Sequence, residues 1–197
     1  MKPSRRALFA GAAALFLPAW PSHAMTPDEA RSFVASLTDE LIGIVREASP
    51  GDPRAERFLD LFRRVAALDA IGRFTMGVHW RSMSDSQQQA FLDAFERYAS
   101  RAYTNRIGNY NGQTLEIVDA QDVGRRGILV RSRLKEQGSE DLAIDWLVSD
   151  RTGEPQVIDI VAEGVSLSIA QREEFAGMLE RRNNDYDQFI DDLETLG

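Results

Sequence analysis

The sequence carries two histidines, His23 and His79, and no cysteine. Thiol nucleophiles, disulfides, iron–sulfur clusters and thiolate zinc sites are therefore excluded, and a multi-histidine metal site has too few ligands. A Ser-His-Asp arrangement would have to be built on His79, and no Gly-x-Ser-x-Gly elbow accompanies it. Phosphate-binding glycine loops and a His-Glu-x-x-His zinc helix are also missing. The densest acidic cluster is Asp185, Asp187, Asp191, Asp192 and Glu194. It lacks the spacing and central glycine of a calcium loop, so it reads as the solvated face of a helix. No catalytic residue and no metal ligand is assigned.

The N-terminus explains one of the two histidines. Lys2, Arg5 and Arg6 precede an uncharged run from Ala7 to Ala19, and Ser22-His23-Ala24 supplies a small-x-small exit. This order of basic start, apolar run and small-residue end is that of a cleavable secretory signal at residues 1–24. The run is too short to anchor stably in a bilayer. Ser4-Arg5-Arg6 also partly fits a twin-arginine signal, so general or twin-arginine export both suit it. The whole chain has 197 residues, 23 Lys and Arg against 31 Asp and Glu, and net charge −8. Cleavage after Ala24 removes three basic residues and one histidine, leaving 173 residues at −11 with His79 alone. The expected product is one exported, acidic, soluble domain over residues 25–197. A charge of that sign argues against a nucleic-acid partner.

The elements of that domain follow from periodicity. Thr26-Pro27-Asp28-Glu29 is a capping box, and Phe33, Leu37, Leu41 and Ile44 recur behind it at helical spacing. Ser49-Pro50-Gly51-Asp52-Pro53 ends that helix. Phe58, Leu61, Phe62 and Val65 mark a second helix, and Leu68 to Met76 either continues it or forms a third. Ser84-Asp85-Ser86-Gln87 is another capping box, opening a long helix with Phe91, Leu92, Phe95, Tyr98, Ala99, Ala102 and Tyr103.

From about residue 113 the period becomes two. Four strands are expected, around Leu115 and Ile117, over Ile128 to Leu134, over Leu142 to Val148, and over Val157 to Glu163. Short glycine-bearing connections make them an antiparallel meander. The inward face reads Ile128, Val130, Ser132, Leu134, Leu142, Ile144, Trp146 and Val148, in which Ser132 is the one polar residue. The outward face carries Arg131, Arg133, Asp145 and Asp159, read as a solvated charged surface. Helices return from about residue 168. The fold class is α+β, with helices packed on one face of a curved antiparallel sheet, in a cone-shaped, NTF2-like architecture. An apolar cone of this kind is either a filled core or a lipid-sized cavity, and periodicity does not separate the two.

Several segments together resemble the MlaC family of periplasmic phospholipid carriers, also known as toluene-tolerance or ABC-transporter auxiliary proteins. They are Met76-Gly77-Val78-His79-Trp80-Arg81, the helix bearing Gln87, Phe91, Phe95, Tyr98 and Tyr103, and the closing Tyr186, Phe189, Ile190 and Leu193. The most specific is Val157-Ile158-Asp159-Ile160-Val161-Ala162-Glu163-Gly164-Val165-Ser166-Leu167, followed by Arg172 and Phe175. The chain departs from the family pattern at His79 and at Glu154-Pro155-Gln156, where aromatic residues are common.

The resemblance implies a non-enzymatic, monomeric periplasmic shuttle whose cargo is phospholipid and which needs no cofactor. Its implied partners are an inner-membrane MCE-domain protein of an ABC transporter and an outer-membrane lipoprotein–porin complex, and its role would be to maintain outer-membrane lipid asymmetry. On that reading the wall candidates are Phe91, Phe95, Val130, Leu134, Ile144, Trp146 and Val165. Trp80, Tyr103 and Arg172 are candidates for the cavity mouth. A hopanoid or sterol-like cargo, or an NTF2-like enzyme acting on a hydrophobic small molecule, are the alternatives. Gly164 and Ser166 have a structural reading as a special backbone angle and a helix cap. Arg172 suits either a phosphate or a glutamate, Glu163 or Glu174.

Overall fold

A computed structural model describes residues 25–46, 54–107, 112–136 and 138–196. The signal segment expected at residues 1–24 and the turn expected at 49–53 lie outside the described residues. The helices are α1 (Pro27–Arg46), α2 (Arg54–Val65), α3 (Leu68–Met76) and α4 (Asp85–Ile107), then α5 (Leu167–Arg181) and α6 (Tyr186–Thr195). The strands are β1 (Thr114–Asp122), β2 (Ile128–Lys135), β3 (Leu142–Ser149), β4 (Gln156–Ala162) and a short β5 (Val165–Ser166). They form one antiparallel sheet in the order β1-β2-β3-β4-β5. The meander is the one expected, with a fifth strand of two residues that alternation alone does not reveal. Among the described residues no helix is long and apolar enough to cross a membrane.

Both capping boxes form. Thr26 N donates to Glu29 Oε2 at 2.7 Å and Glu29 N to Thr26 Oγ1 at 3.3 Å. Ser84 N donates to Gln87 Oε1 at 3.1 Å and Gln87 N to Ser84 Oγ at 3.2 Å. Each box satisfies two backbone donors that a helix start leaves open. Ser166 caps α5 through Ile169 N, as its position suggested. Leu68–Met76 is a separate third helix. Ala67 N donates to Val157 O at 3.0 Å, so the break after α2 is fixed by a bond to the sheet.

The interior divides into two apolar clusters. In the first, α1 and α2 lie on the inward face of the sheet. Ala30, Val34, Leu37 and Ile44 from α1 and Phe58, Leu61 and Val65 from α2 meet Ile128, Val130, Trp146, Val148 and Val157. In the second, α3, α4, α5 and α6 enclose Met76, Phe91, Phe95, Phe175, Leu179, Phe189 and Leu193. Half-buried Phe62 packs against both. Arg97 forks onto Glu194, and Arg101 Nη2 donates to Leu193 O and Leu196 O at 2.6 Å each, tying α6 to α4.

The outward face of the sheet is charged, as expected, but Asp159 is not part of its solvated ladder. Arg131 Nη1 pairs with Asp119 Oδ2 at 3.1 Å, and Lys135 pairs with Glu116. That contact holds the Glu116 carboxyl below its ordinary range, chiefly through the hydrogen bond from Lys135. Asp159 instead turns to α5, as described below.

Gly127, between a 3-10 turn at Gly124–Arg126 and β2, sits at φ 111°. A Cβ built there would lie 2.1 Å from Val148 O. Gly127→Ala therefore meets both a forbidden backbone angle and a main-chain clash, and is expected to cost about 2–3 kcal/mol. Urea unfolding checks this, and a loss below about 0.5 kcal/mol would show that the turn relaxes freely.

Candidate functional site

The inward sheet face is the largest apolar surface that the strands present. Its one inward serine is consumed internally. Trp146 Nε1 donates to Ser132 Oγ at 3.1 Å, and Ser132 Oγ donates to Ile144 O at 2.5 Å. The indole is thereby fixed and leaves no free polar group on the face. Val130 and Trp146 are buried, whereas Ile144 and Leu134 are half-buried toward the margin of the face. Leu115, Ile117 and Ile160 border the same cluster from neighbouring strands, and Phe33 and Leu41 border it from α1.

Four of the wall candidates, Val130, Leu134, Ile144 and Trp146, thus share one face. Phe91 and Phe95 do not join them. Both are buried in the second cluster, stacked on each other at 5.8 Å and ringed by Phe175. Val165 stands 57% exposed on β5. The helix residues that do cover the sheet are Val34, Leu37 and Ile44 of α1 with Phe58 and Leu61 of α2. Their apolar spacing is plain in the sequence, but nothing in that spacing tells which helix pair crosses the sheet.

The mouth candidates are also dispersed. Trp80 is half-buried, edge-on to Phe91 at 6.3 Å, with the Arg73 guanidinium 5.4 Å from its ring. Arg172 lies 5.5 Å over the Phe74 ring, against Gly77. It takes neither expected glutamate. Glu163 Oε1 accepts from Ala143 N, and Glu174 Oε2 from Gln171 Nε2. Tyr103 belongs to α4, and its side chain lies outside the described residues. His79 Nδ1 is 3.4 Å from Tyr186 Oη, a packed position.

Side chains of α1 and α2 pack directly on the inward sheet face. An open groove of about 430 Å³ lies at the α1–α2 seam. Ile44 and Leu61 of the first cluster line it beneath a rim of Glu40, Arg57, Asp60 and Arg64, in which Arg64 Nη2 pairs with Glu40 Oε1 at 2.5 Å. Here the first apolar cluster lies directly beneath polar side chains. Among the described residues no group of three acidic or histidine side chains is placed to hold a metal ion.

The segment around Asp159 acts as a clamp. Asp159 Oδ2 accepts from Ser166 Oγ at 2.5 Å, and Oδ1 accepts from Ser168 N at 3.0 Å and Ser168 Oγ at 2.7 Å. One carboxylate so joins β4 to the start of α5 across β5. Hydrogen bonds to a charged group are worth about 1.5–3 kcal/mol each, less where solvent reaches them. Asp159→Ala is expected to cost about 2 kcal/mol, with Asp159→Asn recovering part of it. Equal unfolding midpoints for both variants and the unsubstituted chain would rule the clamp out.

These features can be set beside known proteins. The MlaC protein family model matches residues 35–195. The chain belongs to the MlaC family. This MlaC chain is 25% identical over 186 residues to toluene tolerance protein ttg2D of Pseudomonas putida, covering 90% of the chain and 85% of that relative. It is 23% identical over 122 residues to the intermembrane phospholipid transport system binding protein MlaC of Haemophilus influenzae, covering 60% and 57%. Its fold matches that of a phospholipid-binding protein from Ralstonia solanacearum, solved in complex with a phospholipid. That match has a TM-score of 0.68 at 24% identity, over 84% of this chain and 97% of the other. The segment that carries the Asp159 clamp lies inside the matched region, so the most specific part of the family pattern does structural work in this MlaC fold.

Proposed function

We propose that the chain is a periplasmic phospholipid carrier, exported through its N-terminal signal and loaded with acyl chains between the inward sheet face and α1–α2. The observation that carries the reading is family membership over residues 35–195 together with an inward sheet face that has no free polar group. The Ralstonia protein of the same fold, which holds a phospholipid, supports it.

The energetics fit a carrier. Each methylene exposed to water costs on the order of 0.8 kcal/mol, so a diacyl lipid crosses an aqueous space only when its tails are enclosed. A wall of Val130, Leu134, Ile144 and Trp146 offers the tails an environment close to that of the bilayer they leave. Transfer in and out then needs little net free energy. α1 and α2 pack on that wall, so loading would require them to part from the sheet. The seam groove, where Ile44 and Leu61 lie beneath charged side chains, is the natural route for tails with the headgroup outside. Lipid would pass between an outer-membrane lipoprotein–porin complex and an inner-membrane MCE-domain ABC transporter, in service of outer-membrane asymmetry. The chain's part in this is enclosure, without bond making or breaking.

Organic-solvent extraction of the purified protein tests the cargo. Lipid phosphorus near one mole or more per mole of protein is the expected result; phosphorus at background would refute the carrier. Transfer of labelled phospholipid from loaded protein to acceptor vesicles tests delivery.

A further inference from the structure

We propose that the surface formed by Phe74, Val78 and Ile169 is a docking face for an anionic phospholipid bilayer. Val78 is 73% exposed, Ile169 50% and Phe74 44%, high values for large apolar side chains. They are contiguous. Arg172 lies over the Phe74 ring and against Gly77, the residue before Val78, and Ile169 is three residues before Arg172 on α5. Exposed Val165 stands immediately before the same helix.

Charge also suits this face to an anionic surface. From Ala70 to Ser84, fifteen residues, the acidic chain has no Asp or Glu, while Arg73 and Arg81 fall inside that stretch. Arg172 joins them from α5. Acidic groups stand nearby as well: Asp69 lies 4.0 Å from Arg73, and Glu173 and Glu174 follow Arg172 on α5, with Glu173 one turn after Ile169. Two of the guanidinia rest on aromatic rings, Arg172 on Phe74 and Arg73 on Trp80. Apolar side chains ringed by cations, with a half-buried tryptophan beneath, match the layering of a lipid headgroup region. The groove at the α1–α2 seam lies elsewhere, and none of its lining residues belongs to this face. The chain as a whole is acidic, at net −8, and an anionic bilayer repels its acidic surfaces, which favours contact through this face.

Co-sedimentation with vesicles tests the inference, using protein expressed from the full chain. One vesicle preparation is phosphatidylethanolamine with phosphatidylglycerol at 7:3; the other is phosphatidylcholine. The unsubstituted protein is expected to partition about fivefold or more in favour of the anionic vesicles, since one basic residue near such a surface contributes about that factor. Val78→Asp combined with Ile169→Asp should bring binding to background. Val118→Asp, at an exposed apolar residue of the distant β1 strand, should leave it unchanged. Equal partition onto the two vesicle types, background binding to both, or undiminished binding of the double variant would each overturn the proposal. Phospholipid carried by the double variant is expected to equal that of the unsubstituted chain. Failure of docking thus leaves the carrier reading intact, and failure of the carrier reading leaves the docking face intact.

Discussion

Phe175→Ala is expected to lower the unfolding free energy by about 3–5 kcal/mol, more than any other single substitution considered. Phe175 is fully buried at the centre of the second cluster. Its ring lies 5.2 Å from Phe189, 5.7 Å from Tyr98, and 6.2 Å from both Phe91 and Phe95. The Phe91, Phe95 and Phe189 contacts are edge-to-face, the geometry in which the ring quadrupoles attract. These neighbours come from α4 and α6, so truncation opens a cavity bounded by helices that cannot collapse independently. Urea denaturation monitored by circular dichroism reads the loss. A cost below about 1 kcal/mol would mean that the cluster repacks and is no rigid scaffold. On the proposed carrier function, that rigidity would leave opening to the first cluster.

Ile144→Trp is expected to abolish most of the phospholipid loading while the fold persists. Ile144 is only half-buried at the margin of the inward face, so the fold can accommodate a larger side chain there. Val130 on the same face is fully buried, and enlarging it would strain the empty protein as well. In the loaded state an indole at position 144 competes with an acyl chain for the same space. Over-filling a packed site costs about 1–3 kcal/mol, which corresponds to about a ten- to hundredfold loss of bound lipid. Circular dichroism and thermal unfolding should remain close to those of the unsubstituted chain. Unchanged lipid content would place the tails elsewhere.

Much of the architecture is legible in the sequence because local signals decide it. The boxes at Thr26 and Ser84, the cap at Ser166 and the alternation through β2 and β3 each depend on neighbours within a few residues. The two-residue β5 strand is too short for any period to declare it. The candidate site was legible only on its strand side. Val130, Leu134, Ile144 and Trp146 share a face because alternation in a strand dictates it. Phe91 and Phe95 share a helix face too, but which partner a helix face meets is set by tertiary packing. Here α1 and α2 take the sheet, and α4 turns its aromatic residues to α5 and α6. The role of Asp159 was hidden for a related reason. A carboxylate on an outward strand position looks solvated until the serines at 166 and 168 are folded back onto it.

The two clusters also separate two demands on a carrier. The second is locked by four buried phenylalanine rings, Phe91, Phe95, Phe175 and Phe189, each packed on at least two of the others, and by the Arg97 and Arg101 ties to α6. The first joins α1–α2 to the sheet mainly through aliphatic contacts such as Val34, Leu37 and Leu61 against Val130, Val148 and Val157. Aliphatic contacts are non-directional and can be exchanged for acyl methylenes with little loss. Enclosure of lipid then replaces one set of apolar contacts by another, while the aromatic cluster holds the rest of the fold in place.

Native mass spectrometry of the protein purified from the periplasm of cells expressing the full chain tests this account most directly. The account predicts a species heavier than the signal-cleaved chain by the mass of a diacyl phospholipid, released on denaturation and depleted in Ile144→Trp. A folded protein found only at its bare mass, in both forms, would contradict it.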